Sequence, residues 1–212
     1  MRNSKNILKK REETIDKILR AARAVFAETG FKNANIEEIA KRAKVDRASV
    51  YYYVGDKKEI YSAVISKSLN KNIEELIQTG TTGKSPEEKL KQYIKSWVPG
   101  GGKSLKDNMI FFWEFASGGE NITEAYKENF SKFIEIFLDI IEDGVEAGDF
   151  KPVNPFILHM MIAGALVLWG ALNAPKSNLV TEAFMTKYDK HLSIDVAREV
   201  EWLILQLIKK EQ

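Results

Sequence analysis

The sequence predicts an all-α protein of about nine helices, with a small head of short helices and a larger helical body. Three observations lead there. Apolar residues recur at helical spacing along almost the whole chain, and no run alternates with the period of a strand. Glycine, proline and capping residues break the pattern into separate segments. The composition is that of a folded chain: 44% of the 212 residues are apolar and 29% charged, which argues against disorder.

Each helix has its own warrant. Ile15, Ile18, Leu19, Ala22, Val25 and Phe26 form the apolar stripe of the first, which Gly30 should stop. Asn35 is placed to cap a short second helix with Ile36, Ile39, Ala40 and Ala43 inward. Asp46 caps a third that runs through Val50 and Val54 to Gly55. The fourth starts near Asp56, carries Ile60, Val64, Leu69, Ile73 and Leu76, and meets Gly80 and Gly83. Leu90, Tyr93, Ile94, Trp97 and Val98 mark the fifth, which ends at the "PGGG" of 99–102. "NMIFFWEFA" is a short sixth, closed by Gly118 and Gly119. A long seventh from about Ile122 to Ala147 presents Phe130, Phe133, Ile134, Phe137, Ile140 and Ile141. Asn154 and Pro155 open the eighth, since proline at the first helical position loses no hydrogen bond. The last runs from about Ile194 to Lys209.

Composition also excludes several classes of function. Without cysteine there is no disulfide, thiolate catalyst or cysteine zinc site. His159 and His191 are the two histidines, far apart and without a metal-binding motif, so no metal or cofactor is expected. No nucleophile and base stand in a catalytic motif, so an enzyme is not expected. The basic start lacks the apolar core of a secretory signal, and the apolar run Met160–Leu172 is shorter than the ~20 residues of a membrane span. A cytoplasmic protein is the expectation.

The net charge of +2 conceals an asymmetry. Residues 1–60 hold 15 Lys and Arg against 9 Asp and Glu, whereas the remainder holds 17 against 21. Arg2, Arg11, Arg20, Arg23, Arg42 and Arg47 all precede residue 60, and only Arg198 follows. Guanidinium suits phosphate and guanine, so a polyanion partner is indicated for the head alone.

The second and third helices are short and closely joined, with Ala40, Lys44 and Val50 where a helix-turn-helix needs a small residue, a turn residue and an inward β-branched residue. Around them, Phe26, Gly30 and Phe31, then Glu38, Ile39 and Ala40, then Val45, Asp46, Ser49, Tyr51 and Lys57 stand in one register. From about Ile15 to Ile65 the chain resembles the tetracycline-repressor (TetR) family of bacterial regulators. Two positions depart from the family pattern: Lys44 replaces the usual turn glycine, and Val54 an aromatic residue. The resemblance implies a DNA-binding head over residues 1–60, with its motif at about 35–54. It implies an effector-binding and dimerisation body over 61–212, and a repressor released by a small molecule.

If Val50 and Val54 face inward, Ala48 and Tyr52 point out, and Tyr51 and Tyr53 fall on opposite flanks. In a major groove this makes Arg47 the reader of guanine O6 and N7, with Tyr52 against thymine methyls. Ala48 permits close approach, Ser49 bonds a base or phosphate, and Tyr51 and Tyr53 donate to phosphates on either wall. Packing against neighbouring helices is the competing role for Tyr53. Asn35 with the start of the second helix binds one phosphate, and Lys57 another. Glu37 stands where it can accept from cytosine N4, or remain solvated. Lys5, Lys9, Lys10 and Arg11 form a basic arm for the backbone or minor groove.

The body is rich in aromatic residues, and Phe111 to Phe115 span more than one helical face. The resemblance implies a ligand pocket among helices four to eight. Its expected wall is Tyr93, Trp97, Phe112, Phe115, Phe133 and Phe137, with Met161 and Ala165. Asn108, Glu114 and His159 are the polar groups available to orient an apolar or aromatic ligand. A body that takes a protein partner instead is the competing reading. One recognition helix reads half a palindromic operator, so a homodimer is expected. Its four-helix interface would use Gly164, Ala165, Gly170 and Ala171 with the stripe Val196, Val200, Leu203, Ile204 and Leu207.

Overall fold

The computed structural model describes residues 2–78, 83–98, 105–172 and 195–210, together with Lys187. Among them are nine helices and no strand, only an isolated bridge between Phe150 and Lys209. The helices are α1 (Arg2–Asn33), α2 (Ile36–Ala43), α3 (Arg47–Tyr53), α4 (Lys57–Gln78) and α5 (Pro86–Lys95). Then come α6 (Leu105–Ala116), α7 (Glu124–Glu146), α8 (Pro155–Leu172) and α9 (Val196–Ile208). No described helix is long and apolar enough to cross a membrane.

The helix boundaries follow side-chain chemistry. The first backbone N–H groups of a helix lack intrahelical partners, and a short oxygen-bearing side chain supplies one. Asn35 Oδ1 accepts from the Glu37 N–H at 2.8 Å, and Asp46 Oδ1 from the Ser49 N–H at 2.6 Å. Asp56 Oδ1 accepts from the Lys58 and Glu59 N–H groups, while Glu59 reaches back to the Asp56 N–H. Ser85 and Glu88 form the same reciprocal pair at α5, and Asn154 and Asp195 cap α8 and α9. α1 departs from expectation at both ends. It extends back through the basic arm to Arg2, and Gly30 (φ 69°) breaks it without ending it.

Packing divides the layers. α1 lies against α2, α4 and α6; α4 and α5 lie against α7; α6 and α9 lie against α8. In the head, Ile18, Ala22, Phe26, Ile39, Val50 and Ile60 are buried together, and Arg42 bridges Glu28 of α1 to Glu38 of α2. In the body, Tyr93 stacks on Phe133 with ring centres 5.0 Å apart, and Trp97 meets Phe133 edge-on at 5.5 Å. The Phe150 ring occupies the space beside Gly144 where a Cβ would stand, which seats the α7–α8 turn.

Candidate nucleic-acid interface and effector cavity

Lys44 makes the sharp turn between α2 and α3 in the left-handed conformation (φ 58°, ψ 43°). That is the conformation for which glycine is the ordinary choice. Its N–H and that of Val45 still bond back to the end of α2, so the two short helices are locked at a fixed angle.

Val50 is fully buried and fixes which face of α3 looks out. Tyr52 is 76% exposed and Tyr51 43%, while Tyr53 is half-buried against the head core. The Tyr52 and Tyr53 rings meet edge to face at 5.0 Å, so Tyr53 props Tyr52 outward. Ala48 and Ser49 lie on the exposed and partly exposed start of the same helix. The Ser49 hydroxyl donates to Asp46 Oδ2 at 2.9 Å, so its first use is in the cap. Asn35 is likewise occupied by its own cap.

Arg47 is held in a way the sequence did not suggest. Its guanidinium pairs with Glu37 Oε1 at 2.6 Å, donates to the Tyr51 hydroxyl at 3.3 Å and lies over the Tyr51 ring. Glu37 on α2 therefore aims Arg47 on α3. Lys57 folds back, with Nζ donating to the Lys32 carbonyl at 3.0 Å and sitting 4.9 Å from the Phe31 ring centre. Partial burial there lowers its pKa.

The body holds a partly open cavity of about 620 Å³ between α4, α6, α7 and α8. Its wall is mostly apolar: Val64, Ile65 and Leu69 from α4, Ile110, Phe111, Phe112 and Phe115 from α6, and Tyr126, Phe130 and Ile134 from α7. Phe156, Met160, Ala163, Gly164, Val167 and Leu168 line it from α8. The polar groups on the wall include Ser68, Asp107, Glu114 and His159.

Four of the expected pocket residues, Phe112, Glu114, Phe115 and His159, line this cavity. Tyr93, Trp97, Phe133 and Phe137 do not: each is completely buried in the α5–α7 interface, where aromatic packing leaves no room for a ligand. His159 joins the two regions, since its Nδ1 is 2.9 Å from the Tyr93 hydroxyl. Met161 and Ala165 are exposed on the outer side of α8, because one residue along a helix turns the side chain by about 100° from neighbours Met160 and Gly164. The Asn108 side chain and His191 lie outside the described residues.

The contributions of α4, Phe111, Tyr126, Phe130 and Phe156 were missed from the sequence. Their spacing reads equally well as ordinary core.

α6 does more than line the cavity. Asp107, itself on the wall, receives a bidentate ion pair from Arg23 of α1. Trp113 lies on the other face of α6: its Nε1 donates to the Ala27 carbonyl at 3.3 Å and its ring covers Gly30. Glu114, 5% exposed, accepts from the Tyr61 hydroxyl of α4 at 2.7 Å and from the Asn121 backbone N–H at 2.8 Å. Burial first, then the neighbouring carboxylate, raises the pKa of the Tyr61 phenol and keeps it a donor. One twelve-residue helix thus touches both the cavity and the head.

Known proteins share this fold. Residues 18–64 match the model of the bacterial regulatory proteins, tetR family, and residues 83–169 match a tetracyclin repressor-like C-terminal domain. The HTH-type transcriptional regulator RutR of Escherichia coli (strain K12) is 24% identical over 192 residues, 91% of this chain and 89% of RutR. Among solved structures, a linker mutant of HlyIIR has a TM-score of 0.70 at 23% identity, covering 95% of this chain and all of that one. FadR from Bacillus subtilis, in complex with stearoyl-CoA, has a TM-score of 0.65 at 19% identity, covering 90% and 95%. With its helix-turn-helix head and its helical body both matched, the chain belongs to the tetR family of DNA-binding transcriptional regulators.

Proposed function

We propose that the protein is a homodimeric repressor of a palindromic operator, released when a small apolar or aromatic molecule fills the cavity between α4, α6, α7 and α8. The observation that carries this reading is the double attachment of α6. Asp107 and Glu114 stand on the cavity wall and also hold Arg23 of α1 and Tyr61 of α4. A ligand that moves α6 pulls on α1 of the head and on α4, which joins head to body. The apolar wall favours a hydrocarbon-rich effector, and the stearoyl-CoA bound to FadR shows a neighbour of this fold taking such a chain.

At the operator, Arg47 reads guanine with Tyr52 beside it, and Tyr51 and Tyr53 flank the phosphates. Ala48 lets the helix approach, and Ser49, Asn35 and Lys57 supply further polar contacts. Glu37 orients Arg47 in place of reading a base. Residues 1–60 act as the head and 61–212 as the body, with α4 running through the junction.

α8 and α9 supply the dimer face. The stripe expected for it divides in two. Val200 and Ile204, with Ala197 and Ile208, are buried within the chain, whereas Trp202, Leu203 and Leu207 on α9 and Ile157, Met161 and Leu168 on α8 are exposed. Exposed apolar surface on two adjacent helices suits a second copy of the chain.

Selecting bound fragments from a random DNA pool, then titrating the selected site with and without a panel of apolar compounds, tests the proposal. A palindrome should be enriched, and at least one compound should weaken its binding while stabilising the free protein. Enrichment of no sequence, or operator affinity unchanged by every compound that binds, would overturn it.

A further inference from the structure

The charge on the cavity wall narrows the ligand further, given that this cavity is the effector site. Two carboxylates line it, and no Lys or Arg among the described lining residues accompanies them. Asp107 is neutralised by Arg23. Glu114 is different. Its oxygens accept from the Tyr61 hydroxyl, the Asn121 N–H and the Asn121 side-chain amide at 3.3 Å, all neutral donors, and no described cation pairs with it. Neutral donors solvate a buried carboxylate but leave its charge uncompensated, and an ion placed in a low-dielectric site is stabilised by an opposite charge.

Two further features of the same wall suit a bound cation. The Ser68 hydroxyl oxygen is buried and has no hydrogen-bond partner among the described residues. Phe111, Phe112, Phe115 and Phe130 stand on the same wall, and the face of an aromatic ring attracts positive charge. Burial, then the Glu114 charge, raises the pKa of the lining phenol Tyr126, so that group adds no competing anion.

We infer that the effector is an apolar cation, a protonated amine or quaternary ammonium carried on a hydrocarbon or aromatic body, with its charge against Glu114. The Ser68 hydroxyl accepts from an ammonium N–H where the ligand has one. A carboxylate or phosphate in the same place would face Glu114 with like charge and with no Lys or Arg among the described lining residues to offset it; His159, whose Nδ1 is 2.9 Å from the Tyr93 hydroxyl, is the one basic ring on the described wall.

The test compares three probes of equal chain length on the full-length protein by isothermal titration calorimetry: decylamine, 1-decanol and decanoate. At neutral pH the amine is protonated and the acid ionised. Decylamine should bind one per chain, at least about tenfold more tightly than decanol, with decanoate weakest. The preference should persist at about 1 M salt, where exposed charges are screened but a buried pair is not. Glu114→Gln retains an acceptor for Tyr61 and should bring decylamine to within about threefold of decanol. Decanol or decanoate binding as tightly as decylamine would overturn the inference and leave the apolar cavity standing. So would a cation preference that survives Glu114→Gln. Failure of all three probes to bind would instead count against the cavity as the effector site.

Discussion

Arg23 in α1 and Asp107 in α6 lie 84 residues apart in sequence and form a two-pronged ion pair. The Asp107 side chain is 4% exposed and also borders the cavity, so α1 is tied to the cavity wall through one carboxylate. The α4 helix, about 28 Å long from Lys57 to Leu76, offers a second route between head and body.

Arg23→Gln removes the charge from this tie and takes the Arg23 cation away from the buried Asp107. A loss of about 1–3 kcal/mol in unfolding free energy is expected, toward the lower end because a third of the Arg23 side chain is exposed. More telling, the ratio of ligand affinities with and without operator should move toward one, since coupling is reciprocal. Urea unfolding gives the first quantity and paired ligand titrations the second. An unchanged ratio would remove α6 from the coupling route.

In the recognition helix, Arg47→Ala should cost about 1–3 kcal/mol per half-site and relax base choice at one position. Tyr52→Ala should also weaken specific binding while changing stability by less than about 0.5 kcal/mol, because the ring is largely exposed. Lys57→Ala should weaken all sequences alike and reduce the salt slope by about one. Binding to operator variants across a salt series separates these roles. A change of sequence preference with Lys57→Ala but none with Arg47→Ala would reverse the assignment.

Lys44→Gly should stabilise the protein by up to about 1 kcal/mol, because the turn already has a left-handed backbone that costs a side-chain-bearing residue energy. A thermal melt decides this. A lower melting temperature would show that the Lys44 side chain contributes more than its backbone costs.

Gly144→Ala tests the packing of the body. Helix propensity alone would favour alanine by about 1 kcal/mol, but the added methyl enters the space of the Phe150 ring. Overpacking costs about 1–3 kcal/mol, so net destabilisation is expected in urea unfolding.

Asp46 carries a pH dependence. The Ser49 N–H first, then the Ser49 hydroxyl, lower its pKa below the ordinary 3.8. A depressed folded pKa gives stability that is present above the unfolded value and is lost as pH falls through the folded one, here below about pH 4. Circular dichroism under acid titration should show a shallower loss for Asp46→Asn, which keeps an acceptor for the cap but does not titrate. Identical acid profiles would show that the cap charge has no part in acid unfolding.

Much of this protein was legible in the order of its residues. Helix periods, capping residues and glycine stops are local, and so the nine described helices, the Asn35 and Asp46 caps and the outward turn of Tyr52 follow from neighbours within a few positions. The left-handed turn at Lys44 followed from the register of the motif. The cavity was not legible in the same way. Tyr93 and Phe112 are both large aromatics at helical spacing, and only the packing of α5 on α7 made one of them core while α6 turned the other to open space. The Arg47–Glu37 and Arg23–Asp107 pairs likewise join residues on different helices, and sequence spacing carries no record of which helices will meet. Periodicity marks which face of a helix is buried. What that face is buried against depends on how the helices pack, which is a property of the assembled chain.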